Sequence, residues 1–367
     1  MKTELQLLPI SKWLPAANKP VIISGPCSAE AEEQMVATAR QVAATGKVHA
    51  IRAGIWKPRT RPGQYEGAGE IGLEWLMAAR QETGLPVTTE VANAAHVNAC
   101  LKAGVDILWV GARTTVNPFS VQEVADALKG VDIPVMVKNP INPDLELWLG
   151  ALERLNKAGI TRMAAIHRGF SSFEKGPFRN TPMWNLPIEL KTRLPELDIL
   201  CDPSHISGNR ELLSMVSQKA LDLDMAGLMI ESHINPDEAW SDAKQQITPT
   251  RLAQLIQDLI VRTPSSSNKI FQDKLLLLRE EIDQLDDDIM SKFASRMKIS
   301  EKIGQFKKDN LVTILQVSRW DEIIQTRIRQ GKAMGLSETF TAALLRLIHD
   351  ESIQIQNRVM NENRQKD

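Results

Sequence analysis

Residues 52–60 read RAGIWKPRT and place three cations, Arg52, Lys57 and Arg59, directly after a short apolar run. Such a run is typical of a buried strand, so the cations fall where that strand is predicted to end. Arginine binds phosphate and carboxylate groups through two parallel hydrogen bonds, and lysine binds them as a compact point charge. The segment therefore predicts a binding site for substrates with several negative charges.

Eight short apolar runs, including the one before Arg52, recur ahead of residue 262, and polar residues follow each of them. Segments with helical periodicity, many of them ending at glycine, separate the runs. Eight β–α units in roughly 250 residues predict a (β/α)₈ barrel, and a doubly wound open sheet is the alternative. In a barrel the polar residues at the C-terminal strand ends meet at one mouth. These residues are Cys27, Arg52, Lys57, Glu90, Arg113, Lys138, His167, Arg168, Asp202, His205 and Glu231.

The polar residues divide by chemistry into metal ligands and cations. Cys27, His205 and Glu231, with Asp242 further along the chain, offer sulfur, nitrogen and oxygen donors. This mixture suits a divalent transition metal such as Mn, Fe, Co or Zn. The cations of the mouth are Arg52, Lys57, Arg59, Arg113, Lys138 and Arg168. Taken alone, a cysteine after a strand more often packs in the core, but agreement across seven strands favours a functional site.

The composition excludes several other classes of protein. Lys and Arg number 44, Asp and Glu number 45, and the net charge of −1 lacks the basic field that binds nucleic acid. Three cysteines indicate a reducing compartment without a disulfide framework. The first residues lack the apolar core of a signal peptide, and no apolar run is long enough to span a membrane. We therefore expect a cytoplasmic protein that binds neither nucleic acid nor membranes.

Residues 262–269, RTPSSSNK, form a small polar stretch typical of a linker, and the pattern after it is helical. Apolar residues alternate at steps of three and four from Ile270 to about Lys308, which predicts one very long helix. A second helix is predicted over 317–331, and a third near Ser337, a residue that can cap it. The predicted domains are a barrel at 1–262, a linker at 263–269 and an all-helical domain at 270–367.

Cations lie beside the apolar stripe of the long helix. Arg296 and Lys307 are separated by about 20° and about 16 Å, which suits one small ligand. Arg279 lies about 42 Å from Lys307 and cannot serve the same pocket in its own chain. Two short helices cannot cover so long a stripe, so we expect a homodimer in which two long helices pack antiparallel, either alone or as part of a higher oligomer. This pairing would bring Arg279 of one chain to the pocket of the other. A helical module without catalytic function is the alternative.

Seven motifs of the first region resemble those of 3-deoxy-D-arabino-heptulosonate 7-phosphate (DAHP) synthase, in the order of that family. They are GPCS (25–28), RAGIWKPRT (52–60), GAR (111–113), KN (138–139), HRG (167–169), DPSH (202–205) and IES (230–232), followed by DEAWSDAKQQITP. The resemblance favours the short form of the family and implies condensation of phosphoenolpyruvate with erythrose 4-phosphate. The related 3-deoxy-octulosonate 8-phosphate synthase is the alternative, although it carries an Asn-Arg motif in place of KPRT.

The resemblance also implies a function for each residue of the mouth. The metal ligands are Cys27, His205, Glu231 and Asp242. Phosphoenolpyruvate is bound by Arg52, Lys57, Arg113, Lys138 and Arg168. Arg59 and Thr60 bind the phosphate of erythrose 4-phosphate. Lys57 lies between the two substrates and is the expected catalytic proton donor.

Residues 275–360 resemble the all-helical chorismate mutase, a dimer with intertwined long helices, through LLLLREEIDQLDDDI, SRMKISEKIGQFKK and DESIQIQ. The chorismate pocket that this implies consists of Arg279 from the partner chain, Arg296, Lys307, Gln316, Arg319, Ser352 and Gln356. Lys307 and Gln356 are the expected catalytic groups, because they hydrogen-bond the ether oxygen as its C–O bond breaks. Trp320 stands where the family often has glutamate. The two resemblances together imply a bifunctional enzyme of the shikimate pathway, and we expect the helical domain to mediate feedback inhibition as well.

Overall fold

The computed structural model describes residues 4–14, 20–58, 63, 65–173, 176–315 and 317–361, without the side chains of 317–319 and 321. Contacts within the chain divide it into two compact units, Met1–Pro264 and Ser265–Asp367. In the described ranges, none of the helices combines the length and apolar character needed to cross a bilayer.

All eight predicted strands form, and they close into a parallel barrel in chain order, β1 to β8. Their bounds are β1 (Val21–Gly25), β2 (Ala50–Arg52), β3 (Val87–Val91), β4 (Ile107–Val110), β5 (Val135–Lys138), β6 (Met163–His167), β7 (Asp198–Cys201) and β8 (Gly227–Glu231). The β1–β8 pairing closes the barrel, with Val21 opposite Gly227 and Gly25 opposite Glu231. The barrel prediction is confirmed, and the open-sheet alternative is wrong.

Side chains from the strands fill the barrel, as expected for a closed sheet of this size. Trp109 of β4, Met136 of β5 and Met229 of β8 are buried in this interior cluster. Ile10, Trp13 and Leu14, from the short 3₁₀ segment that precedes β1, belong to the same cluster. The interior is therefore a packed core, and polar groups cluster at the C-terminal mouth.

Helices surround the barrel and cover the outer face of the strands. Their bounds are α1 (Glu32–Ala44), α2 (Ile71–Thr83), α3 (Ala94–Ala103), α4 (Ala112–Thr115), α5 (Pro118–Ala127), α6 (Leu145–Lys157), α7 (Asn185–Arg193), α8 (Pro203–Ser207), α9 (Leu213–Asp222) and α10 (Pro249–Asp258). Side-chain oxygens cap several N-termini, including Asn93 at α3 and Asp202 at α8. Because Asp202 caps α8, the backbone around His205 is fixed at the mouth.

The second unit consists of three helices, α11 (Lys269–Asp309), α12 (Val317–Ala333) and α13 (Glu338–Asn361). The predicted long helix is confirmed, and Ser337 caps α13 through the Phe340 amide, 3.1 Å from Ser337 Oγ. The predicted end of the second helix at Gly331 is wrong, because α12 continues to Ala333. A Cβ on Gly331 would lie 2.7 Å from Thr341 Oγ1, so this glycine permits close packing of α12 on α13.

The long helix is only partly covered within one chain. At Gly304, α11 lies so close to α13 that a Cβ there would lie 3.1 Å from Gln356 Cα. The apolar residues of its N-terminal half remain exposed, among them Ile282 at 55% and Leu285 at 60%. A continuous exposed apolar stripe marks an interaction surface.

Candidate active sites

The mouth of the barrel forms a cleft in which predicted substrate and metal residues meet. Four of the five cations predicted to bind phosphoenolpyruvate line it, together with two predicted metal ligands. These residues are Lys57, Arg113, Lys138, Arg168, His205 and Asp242. The structure therefore brings residues of the β2, β4, β5, β6, β7 and β8 loops or strand ends into one site.

The fifth cation, Arg52, is buried on the aromatic floor of the mouth. Its guanidinium carbon lies 5.0 Å from the centre of the Trp109 ring, and Lys138 Nζ lies 5.6 Å from the same centre. The Trp109 indole donates a hydrogen bond to Glu90 Oε2 at 2.9 Å. Cations over an indole face are stabilised by its quadrupole, so Trp109 helps to hold both of them. Sequence reasoning assigned no function to Trp109, because an indole inside a strand is usually core.

Two buried ion pairs connect the cations with acidic residues. Lys138 Nζ lies 2.9 Å from Asp202 Oδ2, and Arg52 Nη2 lies 3.3 Å from Glu231 Oε1. Burial on its own raises the pKa of Asp202, but the His205 ring and the Lys138 ammonium hold the pKa well below its usual range. Asp202 is therefore a permanent anion beside Lys138.

Positive charge nevertheless remains in excess around Arg168. Burial, together with the nearby charges of Arg179 and Arg113, lowers the pKa of Arg168 to about 10. Arg168 donates to Asn180 Oδ1 at 2.8 Å and to its neighbour's carbonyl, and Asn139 accepts its backbone N–H. A fixed, crowded group of cations of this kind is suited to bind an anionic ligand.

Three predicted metal ligands form a compact group. One ligand atom from each of Cys27, Glu231 and Asp242 lies within 4.8 Å of the others. Glu231 Oε1 is buried and has no hydrogen-bond partner among the described residues, although Arg52 Nη2 lies 3.3 Å from it. Burial and the Glu231 carboxylate raise the pKa of the Cys27 thiol to about 12, opposed by Lys57. The donors fit a thiophilic divalent metal.

His205, the fourth predicted ligand, lies beside this group. Its Nδ1 is 2.8 Å from Asp202 Oδ2 and 3.8 Å from Glu231 Oε1. A carboxylate next to one ring nitrogen is the usual arrangement of a metal-binding histidine, because it orients the ring and leaves the other nitrogen as ligand. Lys57 Nζ approaches the same group, at 3.0 Å from Cys27 Sγ and 2.5 Å from the Cys27 carbonyl oxygen.

The helical unit brings together part of its predicted pocket. Arg296 Nη1 donates to Ser352 Oγ at 2.5 Å, and Gln356 follows one turn later on α13. Gln356 Oε1 is buried and without a hydrogen-bond partner among the described residues. Lys307 Nζ donates to the Ile314 carbonyl oxygen. Arg279 is exposed and lies about 25 Å from Arg296 along the helix.

The Trp320 ring, at the position where the chorismate mutase family often has glutamate, stacks on His349 with ring centres 3.8 Å apart. Burial lowers the pKa of His349, so its neutral ring stacks on the indole at neutral pH. Four of the predicted site residues cannot be compared with the structure. Arg59, Thr60 and Gln316 lie outside the described residues, and so does the side chain of Arg319.

Comparison with protein families assigns both units. Residues 14–263 match the family described as DAHP synthetase I, and residues 278–357 match chorismate mutase type II. The phospho-2-dehydro-3-deoxyheptonate aldolase of Thermotoga maritima is 32% identical over 238 residues, which cover 65% of this chain and 68% of the relative. The crystal structure of the DAHP synthase from the same organism superposes with a TM-score of 0.58, over 65% of this chain and 66% of the other.

The chain is also similar, at lower identity, to an enzyme of the alternative octulosonate type. The 2-dehydro-3-deoxyphosphooctonate aldolase of Polaromonas naphthalenivorans is 26% identical over 266 residues, which cover 65% of this chain and 88% of the relative. The chain thus spans about two thirds of the length of the Thermotoga relatives and most of the octonate aldolase.

The buried pair of Lys138 and Asp202 yields a prediction about stability. Lys138→Met or Asp202→Asn alone should cost about 3 to 5 kcal/mol of unfolding free energy, because each leaves a buried charge unpaired. The double variant should cost less than the sum. Urea unfolding followed by tryptophan fluorescence measures all three. Glu82→Gln, which breaks the exposed pair with Arg40, is the control and should cost under about 1 kcal/mol. Additive losses would contradict the pairing.

Proposed function

The chain belongs to the DAHP synthetase I family, and from this premise we propose that its barrel condenses phosphoenolpyruvate with erythrose 4-phosphate to give DAHP and phosphate. The two matched families indicate two enzyme activities of the shikimate pathway, DAHP synthase and chorismate mutase. We further propose that the helical unit rearranges chorismate to prephenate. The observation that carries the first proposal is the cleft in which four cations and two predicted metal ligands meet.

Phosphoenolpyruvate is proposed to bind where the cations converge. Its phosphate and carboxylate would be bound by Arg113, Arg168 and Lys138, and Arg52, whose guanidinium carbon lies 5.0 Å from the centre of the Trp109 ring, would contribute a further positive charge. Asp202 holds the Lys138 side chain in place through their 2.9 Å contact. Because Lys138 and Arg168 are already held by buried hydrogen bonds, little reorganisation of these two residues would accompany binding. Arg59 and Thr60 are proposed to bind the phosphate of the aldehyde substrate, which fixes the second reactant beside the first.

The residues around Cys27 are proposed to bind the metal and to handle protons. Cys27, His205, Glu231 and Asp242 would hold a divalent ion, which when bound supplies a Lewis acid for the aldehyde oxygen. The C3 carbon of phosphoenolpyruvate forms the new bond to the aldehyde carbon, and the oxygen of that aldehyde gains a proton. Lys57 is proposed as its donor, because its ammonium lies 3.0 Å from Cys27 Sγ inside the cleft. Water adds at C2, and phosphate leaves by C–O cleavage.

Chorismate is proposed to bind in the helical unit without a metal or a nucleophile. Arg296 and Arg319, with Arg279 of a second copy, would hold the carboxylates and nearby polar groups of the compact conformer. Ser352 is already fixed to Arg296, and it donates in turn to the Ile348 carbonyl oxygen at 2.7 Å. Lys307, Gln356 and Gln316 would stabilise charge on the ether oxygen as its bond breaks. Rate enhancement would come from confinement and fixed charges.

A homodimer through α11 is proposed because one chain leaves the helix incompletely covered. Among the described residues of the second unit, Val359 is the only large apolar side chain in the buried core. Leu278, Ile282 and Leu285 are half or more exposed on α11. Burying such a stripe against a second copy would gain roughly 25 cal/mol per Å² of apolar surface. The same pairing would bring Arg279 to the partner's pocket.

The first prediction for this function concerns the metal and the substrates. Purified protein with phosphoenolpyruvate and erythrose 4-phosphate should release phosphate and form DAHP, and arabinose 5-phosphate should be a poor replacement. Cys27→Ala should abolish the synthase reaction, because it removes the one thiolate of the metal set. Reversible chelation should do the same. Chorismate consumption should survive both treatments.

Cys100→Ala, which changes another buried cysteine remote from the mouth, is the matched control and should retain synthase activity. Full turnover of metal-free protein would contradict the proposed metal dependence. Preference for arabinose 5-phosphate would favour the octulosonate-type activity. No loss of chorismate would favour the non-catalytic helical module.

The second prediction tests the shared pocket. Arg279→Ala and Lys307→Ala should each abolish mutase activity, but mixed dimers should contain one intact pocket, because the two residues come from different chains. Random mixing should restore about a quarter of the wild-type rate. Spectrophotometric chorismate loss measures recovery after subunit exchange. The control mixture, Arg296→Ala with Lys307→Ala, should stay inactive, since both residues belong to one chain's pocket. Failure of the first mixture to recover would contradict the intertwined dimer.

The third prediction concerns feedback inhibition. Only residues 259–268 connect α10 with α11, and the helical unit would recognise a product downstream of the barrel reaction. Prephenate should therefore inhibit the synthase, with a coupling of about 1 to 3 kcal/mol that changes substrate affinity about 5- to 150-fold. Arg296→Ala should abolish the inhibition, and the exposed Arg327→Ala should retain it. Synthase rates over a prephenate titration measure the effect. Equal inhibition of wild type and Arg296→Ala would place the inhibitor in the barrel.

A further inference from the structure

Two consecutive glutamines, Gln245 and Gln246, lie just after the predicted ligand Asp242 and are both buried. Gln246 fixes the loop of Cys27: its Oε1 accepts the Cys27 N–H at 2.9 Å, and its Nε2 donates to the Ser241 carbonyl oxygen at 2.8 Å. Gln245 instead contacts the acidic ligands. Neither side chain is a metal ligand, and the reaction proposed above uses neither of them.

The Gln245 amide is held at both of its ends. Its Nε2 donates to Glu231 Oε2 at 2.6 Å and lies 3.4 Å from Asp242 Oδ2. Its Oε1 accepts from Arg179 Nη1 at 2.7 Å, and the same Nη1 lies 3.0 Å from Asp242 Oδ1. Because one end must donate and the other must accept, the amide can adopt only one orientation.

In each carboxylate, one oxygen is held closely by Gln245 or by Arg179. Gln245 holds Glu231 Oε2, whereas Glu231 Oε1 has no hydrogen-bond partner among the described residues. Arg179 holds Asp242 Oδ1 at 3.0 Å, whereas Asp242 Oδ2 has only longer contacts, 3.4 Å to Gln245 Nε2 and 3.5 Å to Cys27 Sγ, among the described residues. Cys27, Glu231 and Asp242 are the residues of the compact group described above.

The backbone conformation of Asp242 also indicates that this residue is held in a fixed position. It has φ 50° and ψ 35°, a left-handed conformation that aspartate tolerates better than most residues. The Gln245 amide nitrogen donates to the Asp242 carbonyl oxygen at 3.1 Å, which closes the turn. A strained conformation persists where its surroundings fix it, and such positions concentrate at functional sites.

We propose that Gln245 and Arg179 are positioning residues that present Glu231 and Asp242 to the metal through a single oxygen each. The inference rests on the proposed metal site and adds a determinant of metal choice. Transition metals accept few ligands in fixed directions, whereas Ca²⁺ takes six to eight oxygens and often binds both oxygens of a carboxylate. Holding the second oxygen of each carboxylate therefore disfavours Ca²⁺.

The positive charge of Arg179 allows the test to distinguish a positioning role from a purely electrostatic one. A cation beside a metal site repels the metal, so its removal by electrostatics alone would strengthen metal binding. Its removal as a positioning group would weaken binding, because Asp242 and Gln245 would both be free to turn. The sign of the change therefore separates positioning from simple charge.

The experiment measures Mn²⁺ and Ca²⁺ binding to the full-length chain, stripped of metal, by isothermal titration calorimetry. Gln245→Leu and Arg179→Met should each weaken Mn²⁺ binding by about 10- to 100-fold, the usual effect of losing a group that orients a ligand. The ratio of Mn²⁺ affinity to Ca²⁺ affinity should also fall in both variants. Gln254→Leu, which changes an exposed glutamine bonded to Asp258, is the matched control and should bind both ions like wild type.

Circular dichroism and phosphoenolpyruvate affinity verify that each variant is folded, and the partly exposed Arg179 provides the second variant should Gln245→Leu not fold. Unchanged or tighter Mn²⁺ binding in a folded variant, with wild type binding Mn²⁺, would overturn the positioning inference alone. Absence of Mn²⁺ binding in the wild type would overturn the proposed metal site itself, and the inference with it.

Discussion

The Glu231 carboxylate lies fully buried between Arg52, Gln245 and His205, and its charge has to be compensated there. Transfer of an unpaired charge into a protein interior is among the most expensive events in folding, so compensation must be built in. Arg52 supplies it from β2, and Trp109 supports Arg52 from below. Asp202, directly after β7, and Lys138, at the end of β5, form a second buried ion pair of the same kind. The closed barrel makes these pairs possible, because it brings strands distant in sequence into one ring.

The two units differ in how much of their apolar surface they bury within one chain. The barrel covers its strands with its own helices and seals its interior with Ile10, Trp13 and Leu14. The helical unit leaves one side of α11 open, and its buried positions are mostly small or polar, such as Ser300 and Gly304. Chemistry differs accordingly: the barrel brings opposite charges together at its mouth, whereas the proposed helical pocket relies on cations fixed by few contacts.

The sequence predicted the fold and the charged residues of the mouth because both depend on local signals. Apolar runs with polar ends mark the strands of a barrel, and cations such as Arg52 and Lys138 stand at those ends. Gln245, Arg179 and Trp109 escaped prediction for a physical reason: each makes contacts with residues distant in the chain, and none of them follows directly after a predicted strand. Gly331 shows the same limit, since its packing against Thr341 cannot be distinguished from a helix end by sequence.

The open face of α11 also has a consequence for biosynthesis. The barrel precedes the helical unit along the chain, so a ribosome exposes all eight strands before the last helices emerge, and domains generally fold as units in this order. Leu278, Ile282 and Leu285 would then remain in water until another surface covers them. In the proposed homodimer, the waiting time would depend on how many finished chains are nearby. Local translation rate, rather than barrel stability, would thus govern how long the newborn protein is vulnerable to aggregation.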